Sequence, residues 1–170
     1  MRPGVRLGVD VGAVRVGLAV SDPDGLVATP AGTLTRESRT GADLNEIAAQ
    51  ARRRGAIEVV VGLPKSLSGA DGVAAERARD YAGALKRALD GVPVRLWDER
   101  MTTVDAHRQL RDSGVASRRH RDSVDQAAAV LILQAALDAE RSTGSPGGEV
   151  LTGRKPRRRA GQDRQQGRQS

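Results

Sequence analysis

The apolar residues run in short extended stretches at the start of the chain and then change to helical spacing. Val5, Leu7, Val9 and Val11 mark a first strand over residues 5–11, and Val14 to Val20 marks a second after the turn at Gly12-Ala13. A third extended piece follows the Ser21–Gly25 turn through Leu26-Val27 towards Leu34, so this part predicts an antiparallel three-strand meander. From there the rhythm is different. Leu44, Ile47, Ala48 and Ala51 recur at helical offsets, Gly55 stops that helix, and Ile57–Val61 reads as a buried strand ending in Gly62-Leu63-Pro64. A loop rich in Ser and Gly leads to a helix over Val73–Leu89, ended by Gly91–Pro93, and then to a strand over Val94–Trp97. Thr102 or Thr103 caps a helix that carries Val104, Ala106 and Leu110 and ends before Gly114. A basic loop, Arg118 to Arg121, precedes the last helix, Ser123–Arg141, which is so apolar through Ala127–Leu133 that it must pack on the sheet.

These elements predict an α/β fold. Its core is a central mixed five-stranded sheet, an antiparallel three-strand meander plus parallel strands, flanked by helices over residues 1–141. Residues 142–170, which open on Ser-Thr-Gly-Ser-Pro-Gly-Gly and show no apolar period, read as a disordered basic tail.

Charge and composition sharpen this picture. The net charge of +7 sits at one end, because residues 153–170 hold seven Arg and Lys against the single acid Asp163, which leaves residues 1–152 close to neutral. With Tyr81 and Trp97 the only aromatics, base stacking on single strands is a poor mode of recognition, and shape and backbone contacts fit better. The absence of cysteine excludes disulfides, thiolate zinc sites and a cysteine nucleophile, and points to a cytoplasmic protein. No signal peptide opens the chain, and no apolar run approaches the roughly 20 residues that span a bilayer, so no membrane partner is expected.

Candidate chemistry lies in acids at strand and helix ends. Asp10 stands near the end of an apolar strand, where it could also be a plain turn residue beside Gly12. Asp98 and Glu99 follow directly on the strand Val94–Trp97, at the end where open α/β sheets bind ligands, although a solvated pair is the blander reading. Asp125 shares a helical face with Ala128, Ala129, Ile132 and Ala136, where a carboxylate is costly to bury without a cation or donors. The alternative for Asp125 is stabilisation at a helix N-terminus, a role that Asp122 fits better. If the first strand lies beside the last, Asp10, Glu99 and Asp125 converge and form a site for one or two Mg²⁺ or Mn²⁺ ions. His107 and His120 have no metal-ligand partner at useful spacing.

Four blocks carry a resemblance. They are Gly8-Val9-Asp10-Val11-Gly12 through Arg15, Gly17 and Ala19 to Ser21-Asp22; Val61-Gly62-Leu63-Pro64 with Gly69; Asp98-Glu99-Arg100-Met101-Thr102-Thr103; and Asp125-Gln126-Ala127-Ala128-Ala129 with Ile132-Leu133. Together they resemble the YqgF/RuvX family, the pre-16S rRNA nucleases and Holliday junction resolvase-like proteins of the ribonuclease H-like superfamily. The resemblance implies a ribonuclease H-like fold and an acidic triad at Asp10, Glu99 and Asp125. It implies a nuclease that trims the 5′ end of the small-subunit rRNA precursor, or cuts branched DNA, with structured nucleic acid as partner. Met101 stands where many relatives have Leu, a volume-conserving difference.

Arg15, Lys65, Ser66 and Arg100 are candidate substrate contacts, each weighed against an ordinary solvated or loop role. The basic tail would add salt-sensitive affinity for phosphate backbones. Two other functions fit parts of the pattern. A non-catalytic nucleic-acid-binding factor in ribosome assembly or transcription would rely on the tail. A nucleotide-binding domain of the actin and sugar-kinase type is suggested by Asp10-Val11-Gly12 through Gly17-Leu18-Ala19, but that motif occurs once and no Walker-type loop accompanies it. A symmetric resolvase would be a homodimer, whereas a processing nuclease could act as a monomer.

Overall fold

The computed structural model describes residues 1–66, 68, 71–102 and 118–152, with residues 118–121 described in backbone only. Strands β1 (Arg6–Val11), β2 (Arg15–Ser21) and β3 (Ala28–Thr35) form the meander, with β1 antiparallel to β2 and β2 antiparallel to β3. Helix α1 (Ala42–Arg54) ends at Gly55, as its sequence predicts, and leads to β4 (Glu58–Leu63), which lies parallel to β1. Helix α2 (Val73–Leu89) connects β4 to β5 (Val94–Asp98), parallel again, and a short 3-10 turn at Glu99–Met101 follows. The last helix, α3, spans Arg118–Thr143. Arg118 to Arg121 therefore form its first turn and not a loop. Asp122 consequently lies inside the helix, so the capping role expected of it does not hold. The helix expected between Thr102 or Thr103 and Gly114, like His107, falls outside the described residues.

Among the described residues the sheet has six strands in the order β3-β2-β1-β4-β5-β6, one more than the five expected. The extra strand, β6 (Glu149–Val150), runs antiparallel to β5 along the edge, within the segment read from composition as tail. Arg79 of α2 pairs with Glu149 at 3.2 Å, and the Leu151 amide donates to the Val94 carbonyl at 2.9 Å. The ordered chain thus continues past residue 141, and the tail residues 153–170 fall outside the described residues.

Strand alternation divides the core into two layers. Leu7, Val9, Val11, Val16, Leu18, Val59, Val61, Leu63, Val94 and Leu96 face α1 and α2, where Ile47, Ala51, Ala78, Tyr81, Ala82 and Leu85 complete one cluster. The other face carries Ala19, Val60 and Trp97 among its apolar residues, and α3 covers it with Ala128, Ala129, Ile132, Leu133 and Leu137. Gln126 donates to Thr33 and Gln134 receives the Ala28 amide, so α3 also reaches the outer strand β3. Burying each of the large aliphatics here contributes about 1.5–3 kcal/mol. Among the described residues no helix is long and apolar enough to cross a membrane.

The two ends of the α3-covered face differ in chemistry. At the N-terminal ends of the parallel strands, Arg6, Glu58 and Arg95 stand side by side and are closed over by Arg2 and Glu140. Arg2 Nε lies 2.9 Å from Glu140, Arg6 Nη2 3.2 Å from Glu140, and Arg95 Nε 3.0 Å from Glu58. Each buried acid has an arginine partner, which offsets the cost of removing both from water. At the opposite end the acids are gathered instead.

Candidate active site

Asp10 is the penultimate residue of β1 and is 1% exposed. It pairs across the sheet with Gly17 of β2, and its predecessor Val9 pairs with Val61, which brings Gly62 of β4 to its other flank. Directly opposed residues of a ladder share a face. Asp10 therefore points to the α3 side between two positions that have no side chain.

Both glycines are needed for what lies above them. A methyl group at Gly17 would collide with the Asp125 carbonyl, because α3 descends onto β2 backbone to backbone at that point. A methyl group at Gly62 would strike the Glu99 carboxylate and come within 2.5 Å of Ile132 Cδ1. Glu99, at the end of β5, thus extends over Gly62 towards Asp10, while Asp125 arrives over Gly17 from the other side. The strand order on which the expected convergence of the acids is conditional, the first strand beside the last, is not the one observed, since β4 separates β1 from β5. The bare surface of Gly62 is what leaves room for the Glu99 carboxylate over the intervening strand.

Glu99 is 1% exposed and Asp125 2%. The Glu99 backbone is held by the 3-10 turn, where its carbonyl accepts from the Thr102 amide and hydroxyl, each at 2.9 Å. Asp125 lies one to three helical turns from the buried residues Ala128, Ala129, Ile132 and Ala136, as their spacing predicts. Its Oδ2 accepts a hydrogen bond from Arg15 Nε at 3.1 Å, and the same nitrogen lies 3.8 Å from Asp122. Hard carboxylate oxygens on three different elements around one glycine-lined hollow are a donor set suited to Mg²⁺ or Mn²⁺. Among the described residues, however, no three acidic or imidazole groups are drawn close enough to grip one ion together.

The other candidate residues surround this end of the sheet. Asp98 caps the 3-10 turn, accepting from the Arg100 amide at 3.0 Å, and its carboxylate also takes the Arg100 guanidinium. That hydrogen-bonded partner holds the Asp98 carboxyl below its usual range, and the charge of Lys65 adds to the effect. Arg100 is thus engaged by Asp98 and does not stand free in solvent. Lys65 pairs as an isolated bridge with Asp71, and the Ser66 and Ser68 hydroxyls lie 2.8 Å apart in the exposed loop after β4.

Arg36 escaped sequence reasoning. It donates to the Gly12 carbonyl at 3.3 Å, two residues from Asp10, and lies 5.3 Å above the Tyr81 ring. Tyr81 in turn donates to the buried Asp43 at 2.8 Å; burial, and then this bond, push its hydroxyl well above the usual range. The steric roles of Gly17 and Gly62 were also missed, although Gly17, Ala19 and Ser21 alternate along β2, and that run of small residues on one face was a legible sign of close helix approach.

The solved structure of RuvC from T. thermophilus in complex with a Holliday junction substrate superimposes with a TM-score of 0.53 at 19% identity, covering 87% of this chain and 99% of that one. The fold is of the ribonuclease H-like class, with buried acids gathered on the face that α3 covers. The chain belongs to the family described as "RuvX: Holliday junction resolvase", whose model matches residues 4–139, and with it to the nucleases. A relative in Kineococcus radiotolerans is 58% identical over 94% of this chain and 85% of its own length. Another, in Nocardioides sp., is 53% identical over 89% and 98%. Both bear the name "Putative pre-16S rRNA nuclease".

Proposed function

We propose that this protein is a metal-dependent endonuclease that processes the 5′ end of the pre-16S rRNA, with Asp10, Glu99 and Asp125 as ligands for one or two Mg²⁺ or Mn²⁺ ions. The observation that carries this reading is the arrival of three buried carboxylates from a strand, a strand end and a helix around the Gly17-Asp10-Gly62 row. Bound divalent ions would activate the attacking water and stabilise the leaving oxygen of the phosphodiester. The chain's own part is to hold the three acids on well-packed elements, exclude bulk water with α3, and seat the substrate backbone. Arg15, Lys65, Ser66 and Arg100, at the same end of the sheet, supply phosphate contacts. Backbone and shape recognition of structured RNA suits a chain with so few aromatics.

The names of the relatives favour ribosomal precursor RNA, and the family's description makes a four-way DNA junction the necessary control substrate. Asp10→Asn is expected to keep RNA affinity while abolishing Mg²⁺-dependent cleavage of a pre-16S 5′ fragment. Unchanged cleavage by that variant rejects the reading, and preferential cutting of the junction by the wild type would move the substrate to branched DNA.

A further inference from the structure

The ion pair between Arg15 and Asp125 does more than close a gap between a strand and a helix. Asp125 is nearly inaccessible, its side chain 3% exposed, and it stands on the same hollow as two other buried carboxylates. Such a group must meet positive charge, because an uncompensated buried carboxylate is costly. Arg15 supplies it at 3.1 Å through Nε, while 24% of its own side chain faces solvent. The guanidinium keeps its proton throughout the accessible pH range, so its charge leaves Asp125 only if the side chain moves away.

We propose that Arg15 is a mobile counter-ion that competes with the divalent cation for Asp125 and, once displaced, turns to the phosphate backbone of the nucleic acid. This rests on the reading of Asp10, Glu99 and Asp125 as metal ligands. Three observations carry it. First, Arg15 is bonded to the Asp125 carboxylate, the same group that a cation at this site would draw on. Second, Arg15 opens β2 at the rim, on the face shared with Gly17, so its side chain has solvent to move into. Third, its hydrogen bond to Asp125 uses Nε alone, which leaves the two terminal nitrogens for a bidentate phosphate contact. Displaced from Asp125 by like charge, the Arg15 guanidinium would be left at the rim, where it could take a phosphate of the nucleic acid. Metal and nucleic acid then favour each other's binding, and by linkage the enhancement is equal in both directions.

Arg15 is accordingly a positioning residue, and its test does not depend on turnover. Mn²⁺ is titrated calorimetrically into full-length wild type, Arg15→Gln and Arg15→Lys without nucleic acid, and the affinity of each for a labelled RNA hairpin is measured with and without Ca²⁺. Arg15→Gln should bind Mn²⁺ more tightly than wild type, by roughly 5-fold or more, because the competitor is gone. The same variant should lose the metal-induced gain in RNA affinity. Arg15→Lys, which keeps the charge but not the fork, should fall between the two in Mn²⁺ affinity; it carries the test should Arg15→Gln fail to fold. Mn²⁺ affinity in the variants equal to or weaker than wild type overturns the proposal and leaves Arg15 a structural ion pair. That outcome is distinguishable from failure of the functional reading, which would appear as wild-type Mn²⁺ binding that is absent or indifferent to Asp10→Asn.

Discussion

Gly17 and Gly62, which flank Asp10 and have no side chain, leave room for the approach of Asp125 on one side and of the Glu99 carboxylate on the other. At Gly62 an added methyl group contests the space of the Glu99 carboxylate and of Ile132, both of which have some freedom to shift. Gly62→Ala should therefore cost about 1–3 kcal/mol of stability while weakening Mn²⁺ binding, a pair of effects read from a denaturation midpoint and a metal titration. At Gly17 the obstacle is backbone, so Gly17→Ala has no cheap relief and should lower the melting temperature more than Gly62→Ala does. Glu140, at the far end of the same helix, gives a pH signature. The hydrogen bonds from Arg2, with the charge of Arg6, hold its carboxyl down from 4.5 to about 2. A depressed carboxylate stabilises the fold fully above its unfolded value and loses that contribution as pH falls through the folded one. The stability that Glu140 adds is therefore complete above pH 4.5 and drains away as the pH falls towards about 2. Glu140→Gln should remove most of this acid-dependent slope, measured by urea unfolding across that range.

Helix α3 has two jobs, sealing the apolar middle of the sheet and carrying Asp125 at one end and Glu140 at the other. Its buried face was legible because Ala128, Ala129, Ile132 and Ala136 keep a helical period with Asp125. Its start was not, since Arg118 to Arg121 look like a polar loop when charge is weighed above helix propensity. Helices α1 and α2 and strand β4 emerged close to their true bounds, because long periodic segments ended by Gly or Pro leave little choice. Strand β6 was invisible for the opposite reason: two residues have no period, and it is held by Arg79 and by the edge of β5. Arg79→Ala is expected to loosen this edge with little effect on the acids, seen as faster amide exchange at Leu151 and unchanged Mn²⁺ affinity. The order of the strands, with β4 between β1 and β5, is a tertiary fact to which local patterning is blind. The sequence therefore pointed to the end of the sheet where Asp10, Glu99 and Asp125 lie buried, but not to the seat of the Glu99 carboxylate over Gly62.

Taken together, the molecule separates its charges along the sheet. The N-terminal ends of the parallel strands pair every buried acid with an arginine, whereas the C-terminal ends collect acids and surround them with Arg15, Lys65 and Arg100. That polarity matches the use of strand C-termini as ligand sites in α/β folds. The excess positive charge resides in residues 153–170, and a chain truncated after Thr152 should bind RNA more weakly with a shallower salt dependence, while its metal affinity stays the same. The account stands or falls on whether the acids form one metal site. Crystals grown with Mn²⁺ and measured at its absorption edge should show anomalous density coordinated by oxygens of Asp10, Glu99 and Asp125 at about 2.1 Å. Density elsewhere, or none at this site at saturating Mn²⁺, would contradict it.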